Sequence, residues 1–374
     1  FPSKEKAAEM MGAGEQLVFY LGIDPTGPSI HLGHTIPLLA LKQLAKLGHK
    51  IIILIGDFTA MIGDPTDKEA ARKPLSEKEV KENMKIYLNQ IYKILPKNSF
   101  EVKYNSKWYN KMLYKDWLKV AMKFTQQQMI ARDMFQERLK KEKPIGMHEF
   151  DYPMMQGYDS VAMEVDGEVG GNDQTFNMLV GRDLVKEYLG KEKLVFATKL
   201  LVDAVTGKKI SKTEGGFIAV SDLPEDVFGK TMKSIPDEMI KIVFELCTEK
   251  SQDWINAQYE EVKNGGNPKN FKEELAYELV RMYYGEKAAE KAKENFEKVF
   301  SEGQLPEEMQ EFKFTGKIIE LLHVSGLASS MGEAKRLIDQ HAVNINGHAI
   351  TDWEHDVKSG DVIKVGPRRF LKIK

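Results

Sequence analysis

Cysteine is nearly absent from this chain of 374 residues, and its single copy, Cys247, excludes an internal disulfide. Long apolar runs are also missing, since the longest spans Ile51 to Ile55 and a transmembrane helix needs about 18 apolar residues. The first residues, Phe1-Pro2-Ser3-Lys4, lack the basic region and apolar core of a secretory signal. We therefore expect a cytoplasmic protein in a reducing compartment, with no membrane partner.

A charge excess of one sign is lacking as well, because the formal net charge is −2. Any nucleic-acid partner must then be bound by local basic patches rather than by the global field. Four of the eight histidines lie near the C-terminus, His323, His341, His348 and His355. They do not have zinc-ligand spacing and have no cysteine companion, so we expect no metal site made by the protein. The length suits two or three globular domains.

The first 60 residues contain a strand–loop–helix–strand pattern. An apolar run at 18–23 predicts a short buried strand, and two prolines and a glycine at 24–29 predict a turn. Apolar residues at helical spacing follow from Ile36 to Leu47, and Gly48 ends that helix. The run at 50–57 is typical of a parallel strand buried on both faces. This βαβ unit predicts a nucleotide-binding sheet with its ligand at the carboxyl ends of the strands.

The rest of the chain is predicted to be mainly helical until about residue 305. Helices are expected at 76–95, 111–143 and 152–159, a strand end followed by a helix at 168–174, and a charged helical region at 221–305. Beyond a linker near Pro306, two short helices at 317–324 and 332–340 precede strands, including a hairpin that turns at Asn346-Gly347. We expect three domains, at residues 1–220, 221–305 and 313–374.

Two short motifs suggest chemistry on a triphosphate. His31-Leu32-Gly33-His34 lies just before the first predicted helix, and Lys209-Ile210-Ser211-Lys212-Thr213 lies far downstream. Each is weak alone, but together they supply imidazoles and ammonium groups where negative charge develops at a phosphate. Glycines at 207, 215 and 216 would allow the second motif to open and close as a loop.

With these motifs in this order, the chain resembles the bacterial-type tyrosyl-tRNA synthetases, which belong to class I. His31 to His34 corresponds to the HIGH motif and Lys209 to Thr213 to the KMSKS loop, with Ile and Thr as conservative replacements. Further matches, in chain order, are Tyr20, Gly22-Ile23-Asp24-Pro25-Thr26, Ile62-Gly63-Asp64-Pro65, Tyr152-x-x-x-Gln156-x-x-Asp159 and Gly170-Gly171-x-Asp173-Gln174. Residues 313–374 resemble a small RNA-binding module shared with a ribosomal protein.

The resemblance implies an α/β fold: a Rossmann-like parallel-sheet catalytic domain, a helical tRNA-contacting domain and a C-terminal α+β RNA-binding module. It implies an aminoacyl-tRNA synthetase that activates tyrosine with ATP to tyrosyl-adenylate and pyrophosphate, and then transfers tyrosine to the 3′ end of its tRNA. Mg²⁺ would arrive with ATP, without a dedicated protein cage. A homodimer is also implied, and apolar residues within 111–143 are candidates for its interface.

The resemblance also assigns roles to residues around ATP. Thr26 and His31 would contact the γ-phosphate, Gly33 and His34 would lie against the adenosine, and Lys209, Lys212 and Thr213 would hold the leaving pyrophosphate. The remaining ATP residues would be Asp173 at the ribose, Gly171 by close backbone approach, Gln174 beside the reacting carboxylate, and Asp24, Lys68 and Arg72 nearby.

For tyrosine, the resemblance places Tyr20 and Asp159 at the phenol hydroxyl. Asp64, Tyr152 and Gln156 would bind the ammonium group, with the segment 105–108 near the amine. A buried carboxylate that accepts from the phenol is left unpaired by phenylalanine, which favours selectivity for tyrosine. The candidate RNA-binding residues form a local basic patch in the C-terminal module: Lys335, Arg336, Arg368, Arg369 and Lys372.

Several alternatives stay open on the sequence. A tryptophanyl relative shares the fold and motifs, and Tyr20 with Asp159 favours tyrosine over it. A small-molecule nucleotidyltransferase would not need the C-terminal module, and a catalytically silent RNA-binding relative would have broken phosphate motifs. Taken singly, Tyr20 is an ordinary core residue and Asp159 an ordinary surface residue.

Overall fold

The computed structural model describes residues 1–27, 29–66, 75–202, 218–301, 310–328, 330–366 and 369–374. Two units are distinguished along the chain, Phe1–Asp222 with Ser234–Phe271, and Leu223–Lys233 with Lys272–Lys374. Within the described residues, no helix has the length and apolar character needed to span a membrane.

A five-stranded parallel sheet organises the first unit. Its strands are β1 (Val18–Ile23), β2 (Lys50–Ile55), β3 (Glu101–Tyr104), β4 (Gly167–Gly171) and β5 (Leu194–Thr198). They lie in the order β3-β2-β1-β4-β5. The predicted βαβ unit and its strands β1 and β2 are confirmed, and β2 is buried at every position after Lys50. The sequence pattern did not predict β3, which is only four residues long and partly exposed.

Ten helices precede Asp222 in the described residues. They are α1 (Lys4–Gly12), α2 (Leu32–Lys46), α3 (Thr59–Ile62), α4 (Glu77–Ile91), α5 (Ser106–Tyr109), α6 (Tyr114–Ala121), α7 (Gln126–Ile130), α8 (Asp133–Lys140), α9 (His148–Ala162) and α10 (Thr175–Leu189). The sequence pattern did not predict the helix α3. One helical turn is too short to leave a period in the sequence, and Gly63, with φ of 89°, ends it.

Glycine allows α9 and α10 to pack closely beside the sheet. A Cβ on Gly157 would lie 2.8 Å from Cγ1 of Val180 and 3.0 Å from the backbone nitrogen of Gly181. Only a residue without a side chain fits at that distance. The close packing brings the polar face of α9 against β1 and β4, where it can contribute to a ligand site.

The strand order creates a crevice between β1 and β4. The chain leaves β1 towards β2 on one side, and β4 and β5 extend the sheet on the other. In such sheets, ligands bind beyond the carboxyl ends of the strands where the order reverses. The residues that follow β1 and β4 are therefore expected to line a ligand site.

Five further helices follow: α11 (Pro224–Ser234), α12 (Ile240–Cys247), α13 (Gln252–Lys263), α14 (Pro268–Tyr284) and α15 (Glu286–Ser301). They confirm the predicted helical character of 221–301. Within the first unit, Phe244 at the heart of α12 is fully buried and stacks on Phe271 with 4.7 Å between ring centroids. Aromatic contacts of this kind stabilise the packing of these helices.

The C-terminal residues form a small α+β structure, as predicted. Its elements are β6 (Gln310–Phe312), β7 (Gly316–Lys317), α16 (Ile318–Val324), α17 (Met331–Asp339), β8 (Val343–Ile345), β9 (His348–Ala349), β10 (Asp356–Val357), β11 (Val362–Val365) and β12 (Arg369–Ile373). The predicted hairpin is confirmed, because Asn346 and Gly347 have φ of 51° and 87° and join the antiparallel pair β8–β9. The division into three domains stays a prediction.

Candidate active site

A cavity of about 590 Å³ opens at the carboxyl ends of the parallel strands. Its walls come from the segments after β1, β2, β4 and β5, from the start of α2 and from one face of α9. The lining contains nearly all of the predicted ATP and tyrosine residues that the structure describes: Tyr20, Asp24, Thr26, His31, Gly33, His34, Asp64, Tyr152, Gln156, Asp159, Gly171, Asp173 and Gln174.

Tyr20 and Asp159 are buried residues of the cavity wall. Tyr20 is fully buried, and Asp159 is 3% exposed. Asp159 accepts hydrogen bonds from Nε1 of Trp108 at 2.9 Å and from Nδ2 of Asn105 at 3.3 Å. Burial raises the pKa of the Asp159 carboxyl well above its usual range, and the bonds from Trp108 and Asn105 oppose that rise. The segment 105–108, expected near the substrate amine, thus supplies two donors to Asp159.

Asp24 holds together three elements on the other side of the cavity. Its carboxylate accepts from the hydroxyls of Thr59 at 2.8 Å and of Tyr152 at 2.9 Å. A Cβ on Gly56 would lie 2.0 Å from Asp24 Oδ1, so glycine is required there. The sequence pattern did not identify Thr59, whose burial and contact with Asp24 emerge only from the fold.

A chain of amides and carboxylates runs along α9 and α10. Nε2 of Gln174 donates to Asp64 at 2.8 Å, and Nδ2 of Asn177 lies 3.0 Å from Oε1 of both Gln174 and Gln156. Nε2 of Gln156 in turn donates to Glu168 at 3.0 Å. Three predicted residues are thereby brought together. An unpredicted one, Asn177, fixes which amide atoms of Gln156 and Gln174 face the carboxylates.

A buried ion pair that the sequence analysis missed lies behind this chain. Nζ of Lys193 contacts the carboxylate of Glu168, and their side chains are 0% and 2% exposed. Glu168 lies in β4 and Lys193 directly before β5. The available signal was Glu168, an acidic residue within a strand, since such residues are rarely fully buried without a partner.

The start of α2 presents the predicted histidine pair. His31 is its N-cap and accepts at Nδ1 from the backbone N–H of Gly33 at 3.1 Å, and the rings of His31 and His34 stack with centroids 3.7 Å apart. A Cβ on Gly33 would lie 3.0 Å from Cε1 of His31. The N–H groups at a helix start favour anions, so this place suits a phosphate.

The strands and loops around α2 hold this region in place. The backbone N–H of Leu32 donates to the carbonyl of Ile218 at 3.0 Å, and that of Val220 donates to Ile30 at 2.9 Å. On the opposite wall, a Cβ on Gly171 would lie 2.5 Å from Oδ1 of Asp173. This absence of a side chain lets the Asp173 carboxylate lie against the backbone after β4.

Several predicted residues fall outside the described part of the chain. They are Lys68, Arg72, Lys209, Lys212, Thr213 and Arg368, together with the glycines at 207, 215 and 216. Among the described residues, no group of three or more His, Cys, Asp or Glu side chains has an arrangement that could hold a metal ion.

The C-terminal basic residues occupy two elements. Lys335 and Arg336 are exposed on α17, and the ammonium of Lys335 lies 4.6 Å from the ring centroid of Trp353. On β12, Lys372 is exposed, and Nη1 of Arg369 donates to the carbonyl of Leu327. The Arg369 guanidinium therefore also anchors β12 to the segment between α16 and α17.

Comparison with known proteins gives matches over almost the whole chain. A family described as class I tRNA synthetases (W and Y) matches residues 13–301, and the S4 domain matches residues 318–363. A tyrosine–tRNA ligase of Carboxydothermus hydrogenoformans is 44% identical, over 99% of this chain and 92% of its own length. A tyrosine–tRNA ligase 2 of Clostridium acetobutylicum is 41% identical, over 99% and 93%.

Solved structures agree on the fold. A C-terminally truncated mitochondrial tyrosyl-tRNA synthetase of Aspergillus nidulans aligns with a TM-score of 0.66, covering 80% of this chain and 90% of its own, at 20% identity. At that identity the likeness bears on the fold alone.

Proposed function

Because this chain belongs to the class I tRNA synthetases for tryptophan and tyrosine, we infer that it is a tyrosine–tRNA ligase. It activates tyrosine with ATP and transfers the activated amino acid to tRNA. The tyrosine–tRNA ligases that match over nearly the full length favour tyrosine over tryptophan. The S4 domain at 318–363 supports RNA binding and argues against a small-molecule nucleotidyltransferase.

The observation that carries the proposal is the buried carboxylate of Asp159 beside Tyr20 at the closed end of the cavity. A carboxylate held by Trp108 and Asn105 still has lone pairs for a ligand. A phenol hydroxyl matches this end because it can donate to Asp159 and accept from Tyr20. Phenylalanine would bury the same carboxylate without that donor, at a cost in affinity.

The amino end of tyrosine is assigned to the polar groups further along α9. Asp64 supplies negative charge for the ammonium group, and the oxygens of Tyr152 and Gln156 are candidate acceptors around it. Gln174, bonded to Asp64, is assigned to the tyrosine carboxylate. This arrangement would hold the carboxylate oxygen in line with the α-phosphorus, which is the main requirement of a reaction without a covalent enzyme intermediate.

The ATP side of the cavity is assigned to the start of α2 and the segment after β4. Attack of the tyrosine carboxylate on the α-phosphorus breaks the bond to the bridging oxygen, and pyrophosphate leaves with the bonding pair. Thr26 and His31 would stabilise the charge on the γ-phosphate, Gly33 and His34 would pack on the adenosine, and Gly171 and Asp173 would bind the ribose. Asp24 would orient this wall through Thr59 and Tyr152.

Residues outside the described part of the chain complete this assignment. Lys209, Lys212 and Thr213 are proposed for the leaving pyrophosphate, and Lys68 and Arg72 for the phosphates. The segment that contains the first three is preceded by Leu201, a lining residue, and followed by Ile218, bonded to Leu32. Mg²⁺ is proposed to enter bound to ATP, where phosphate oxygens and water are its preferred ligands.

The tRNA is proposed to bind across the other proposed domains, the helical 221–305 and the C-terminal 313–374. Lys335, Arg336, Arg368, Arg369 and Lys372 are assigned to phosphate contacts, which need only local density of positive charge. A cytoplasmic location is proposed from the similarity to bacterial tyrosine–tRNA ligases.

A homodimer is proposed from the surface of α6. Tyr114, Leu118 and Met122 recur at i, i+4 and i+8 and are 75%, 41% and 81% exposed, and Leu113 beside them is 57% exposed. The opposite face of the same helix packs into the core through Val120. Apolar residues on both faces of a helix indicate that the exposed face is covered in an interface. We propose that a second copy of this chain covers it.

The test is ATP–pyrophosphate exchange with tyrosine, tryptophan and phenylalanine offered separately. We expect exchange with tyrosine, and a large reduction in a His31→Ala variant. Exchange with tryptophan instead would keep the reaction class and overturn the assignment of Tyr20 and Asp159. Folded protein without exchange for any of the three would favour a catalytically silent RNA-binding relative.

A further inference from the structure

The ion pair of Lys193 and Glu168 has no role in the assignment above, although it lies directly behind the phenol end of the cavity. Both side chains are almost wholly buried. Burial of two charges gives little net stability, because an apolar pair of similar volume often does as well or better. Net stability therefore does not explain this buried ion pair, and a functional role is considered instead.

The surroundings of Lys193 fix the direction of its hydrogen bonds. Its Nζ has three acceptors: the Glu168 carboxylate, Oγ of Ser160 at 2.7 Å and the carbonyl of Met178 at 3.2 Å. An ammonium group has three hydrogens to donate and no lone pair. Burial lowers the pKa of Lys193, and the Glu168 carboxylate opposes this by favouring the charged form. Ser160 thus receives a hydrogen bond and cannot return one to Lys193.

Space for this contact is made by the backbone of α10. A Cβ on Gly181 would lie 2.4 Å from Nζ of Lys193 and 2.9 Å from Oγ of Ser160. Both distances are too short for a methyl group. Glycine at position 181 therefore allows the Lys193 ammonium to reach the Ser160 hydroxyl. The contact depends on three elements that meet at this point: α9, α10 and the segment before β5.

Ser160 also forms a hydrogen bond with Tyr20. Its Oγ lies 2.9 Å from Oη of Tyr20, and both residues are fully buried. The Lys193 ammonium cannot accept, so among the described contacts of Ser160 the Tyr20 oxygen is the group that can accept its hydrogen. The Tyr20 hydrogen is then left with the Gln156 carbonyl at 3.4 Å, which is long for an O–H···O bond.

Glu168 is the competing acceptor for the Tyr20 hydrogen, since its charge and a side-chain hydrogen bond to it both contribute, after burial itself, to the raised pKa of Tyr20. Its Oε1 also accepts from Gln156 at 3.0 Å and its Oε2 accepts from Lys193, so two of the carboxylate's lone pairs are taken by other donors. Lys193 thus donates to Glu168 and to Ser160 at the same time.

We propose that Lys193 is a positioning residue for substrate selection: through Ser160 it makes Tyr20 a hydrogen-bond donor to the phenol oxygen of tyrosine. Asp159 then accepts the phenol hydrogen, so donor and acceptor around the substrate hydroxyl are fixed before it binds. The inference rests on the proposed function, because it needs tyrosine as the substrate.

The test compares kcat/KM for tyrosine and for phenylalanine in ATP–pyrophosphate exchange. One variant combines Lys193→Met with Glu168→Gln, which removes both charges. The other is Ser160→Ala, which removes the hydroxyl between Lys193 and Tyr20 but keeps the ion pair. Lys191→Met is the matched control. Lys191 is two positions from Lys193 in the sequence, donates to Asp166 at 2.6 Å and does not line the cavity.

We expect kcat/KM for tyrosine to fall about tenfold in both test variants, the usual size of one lost hydrogen bond near charge. The value for phenylalanine, which has no phenol oxygen, and both values in the control should be unchanged. In a Tyr20→Phe background, Ser160→Ala should cause no additional loss. A thermal melt checks the fold, and if the charge-pair variant does not fold, Ser160→Ala decides alone.

Equal losses for both amino acids, or no loss for tyrosine, would overturn the inference while leaving the proposed function intact. An additional loss in the Tyr20→Phe background would also overturn it, because Ser160 would then act by another route. Absence of tyrosine exchange in the unmodified protein would instead refute the proposed function and this inference together.

Discussion

The indole Nε1 of Trp108 donates a 2.9 Å hydrogen bond to Oδ1 of Asp159. The bond joins α5 to α9 and fixes a carboxylate that burial would otherwise drive towards its neutral form. A neutral carboxyl is a poorer acceptor for the phenol of tyrosine. The protonation state of Asp159 therefore depends on a neighbour that does not touch the substrate hydroxyl in the proposed assignment.

Replacement of Trp108 by Phe should shift the pH dependence of tyrosine activation. The Trp108 bond lowers the pKa of Asp159, so its loss raises that pKa, and the carboxylate takes up its proton at a higher pH than before. The acidic limb of kcat/KM for tyrosine should move to higher pH, and the loss should grow as pH falls. The pH profile of exchange measures this directly. An unchanged profile, or an equal shift with phenylalanine, would contradict it.

Gly33→Ala should impair catalysis without destabilising the protein. The added Cβ would lie 3.0 Å from Cε1 and 3.2 Å from Nδ1 of His31, so the ring must shift by a few tenths of an ångström. Because a misplacement of about 1 Å can cost about 100-fold in rate, this smaller shift of a residue proposed to contact the phosphates should lower the exchange rate by a smaller factor. Alanine in a helix is otherwise favoured by ~1 kcal/mol, so the melting temperature should not fall.

The matched control for Gly33→Ala is Gly12→Ala, because a Cβ on Gly12 meets nothing within 4 Å. The exchange rate should be unaffected in the control, and its melting temperature should not fall. Retention of full activity in Gly33→Ala would mean that the His31 ring position is not important for the reaction.

Cys247 should be inert to thiol reagents in the folded protein. It is fully buried, its Sγ lies 3.8 Å from the carbonyl of Leu32, and burial raises its pKa to about 12, so the reactive thiolate is scarce at pH 8. A chromogenic disulfide reagent should react slowly in buffer and rapidly in urea. A Cys247→Ala variant should give no signal in either. Rapid reaction in buffer would contradict the burial of this thiol.

Charges on the exposed face of α6 should dissociate the proposed dimer. Tyr114 and Met122 are 75% and 81% exposed, and two glutamates in their place would have to be buried in the interface without partners. Sedimentation at micromolar concentration should give a dimer for the unmodified chain and a monomer for Tyr114→Glu with Met122→Glu. Leu47→Glu, an exposed leucine of the first unit at 66% exposure, is the control and should remain dimeric.

The sequence predicted the fold best where a pattern persists over many residues. The βαβ unit from Val18 to Ile55 and the Asn346-Gly347 hairpin are confirmed, because apolar periodicity and turn chemistry are local properties. Short elements such as β3 and α3 were missed, since four residues leave no distinct period. Their positions are determined by contacts with β2 and α9, which lie elsewhere in the sequence.

Local sequence patterns also predicted only part of the candidate site. Asp159 was found by its spacing from Tyr152 and Gln156 on one helix, but its partners Trp108 and Asn105 come from a different element. Lys193 resembles an ordinary surface lysine in the sequence, because most lysines are exposed. Its burial against Glu168 follows from the pairing of β4 with β5 and from the space that Gly181 leaves, neither of which a single sequence displays.

The most direct measurement is a competition between tyrosine and phenylalanine for charging of tyrosine tRNA. Both amino acids are supplied at equal concentration with ATP and Mg²⁺, and the aminoacyl esters are identified by mass spectrometry. The product ratio equals the ratio of the two kcat/KM values. We expect tyrosyl ester in at least about 100-fold excess, since a buried charged acceptor left unpaired costs ~3 kcal/mol or more. Comparable amounts of the two esters would contradict the assignment of Asp159 as the group that selects tyrosine, and absence of both esters would contradict the proposed function.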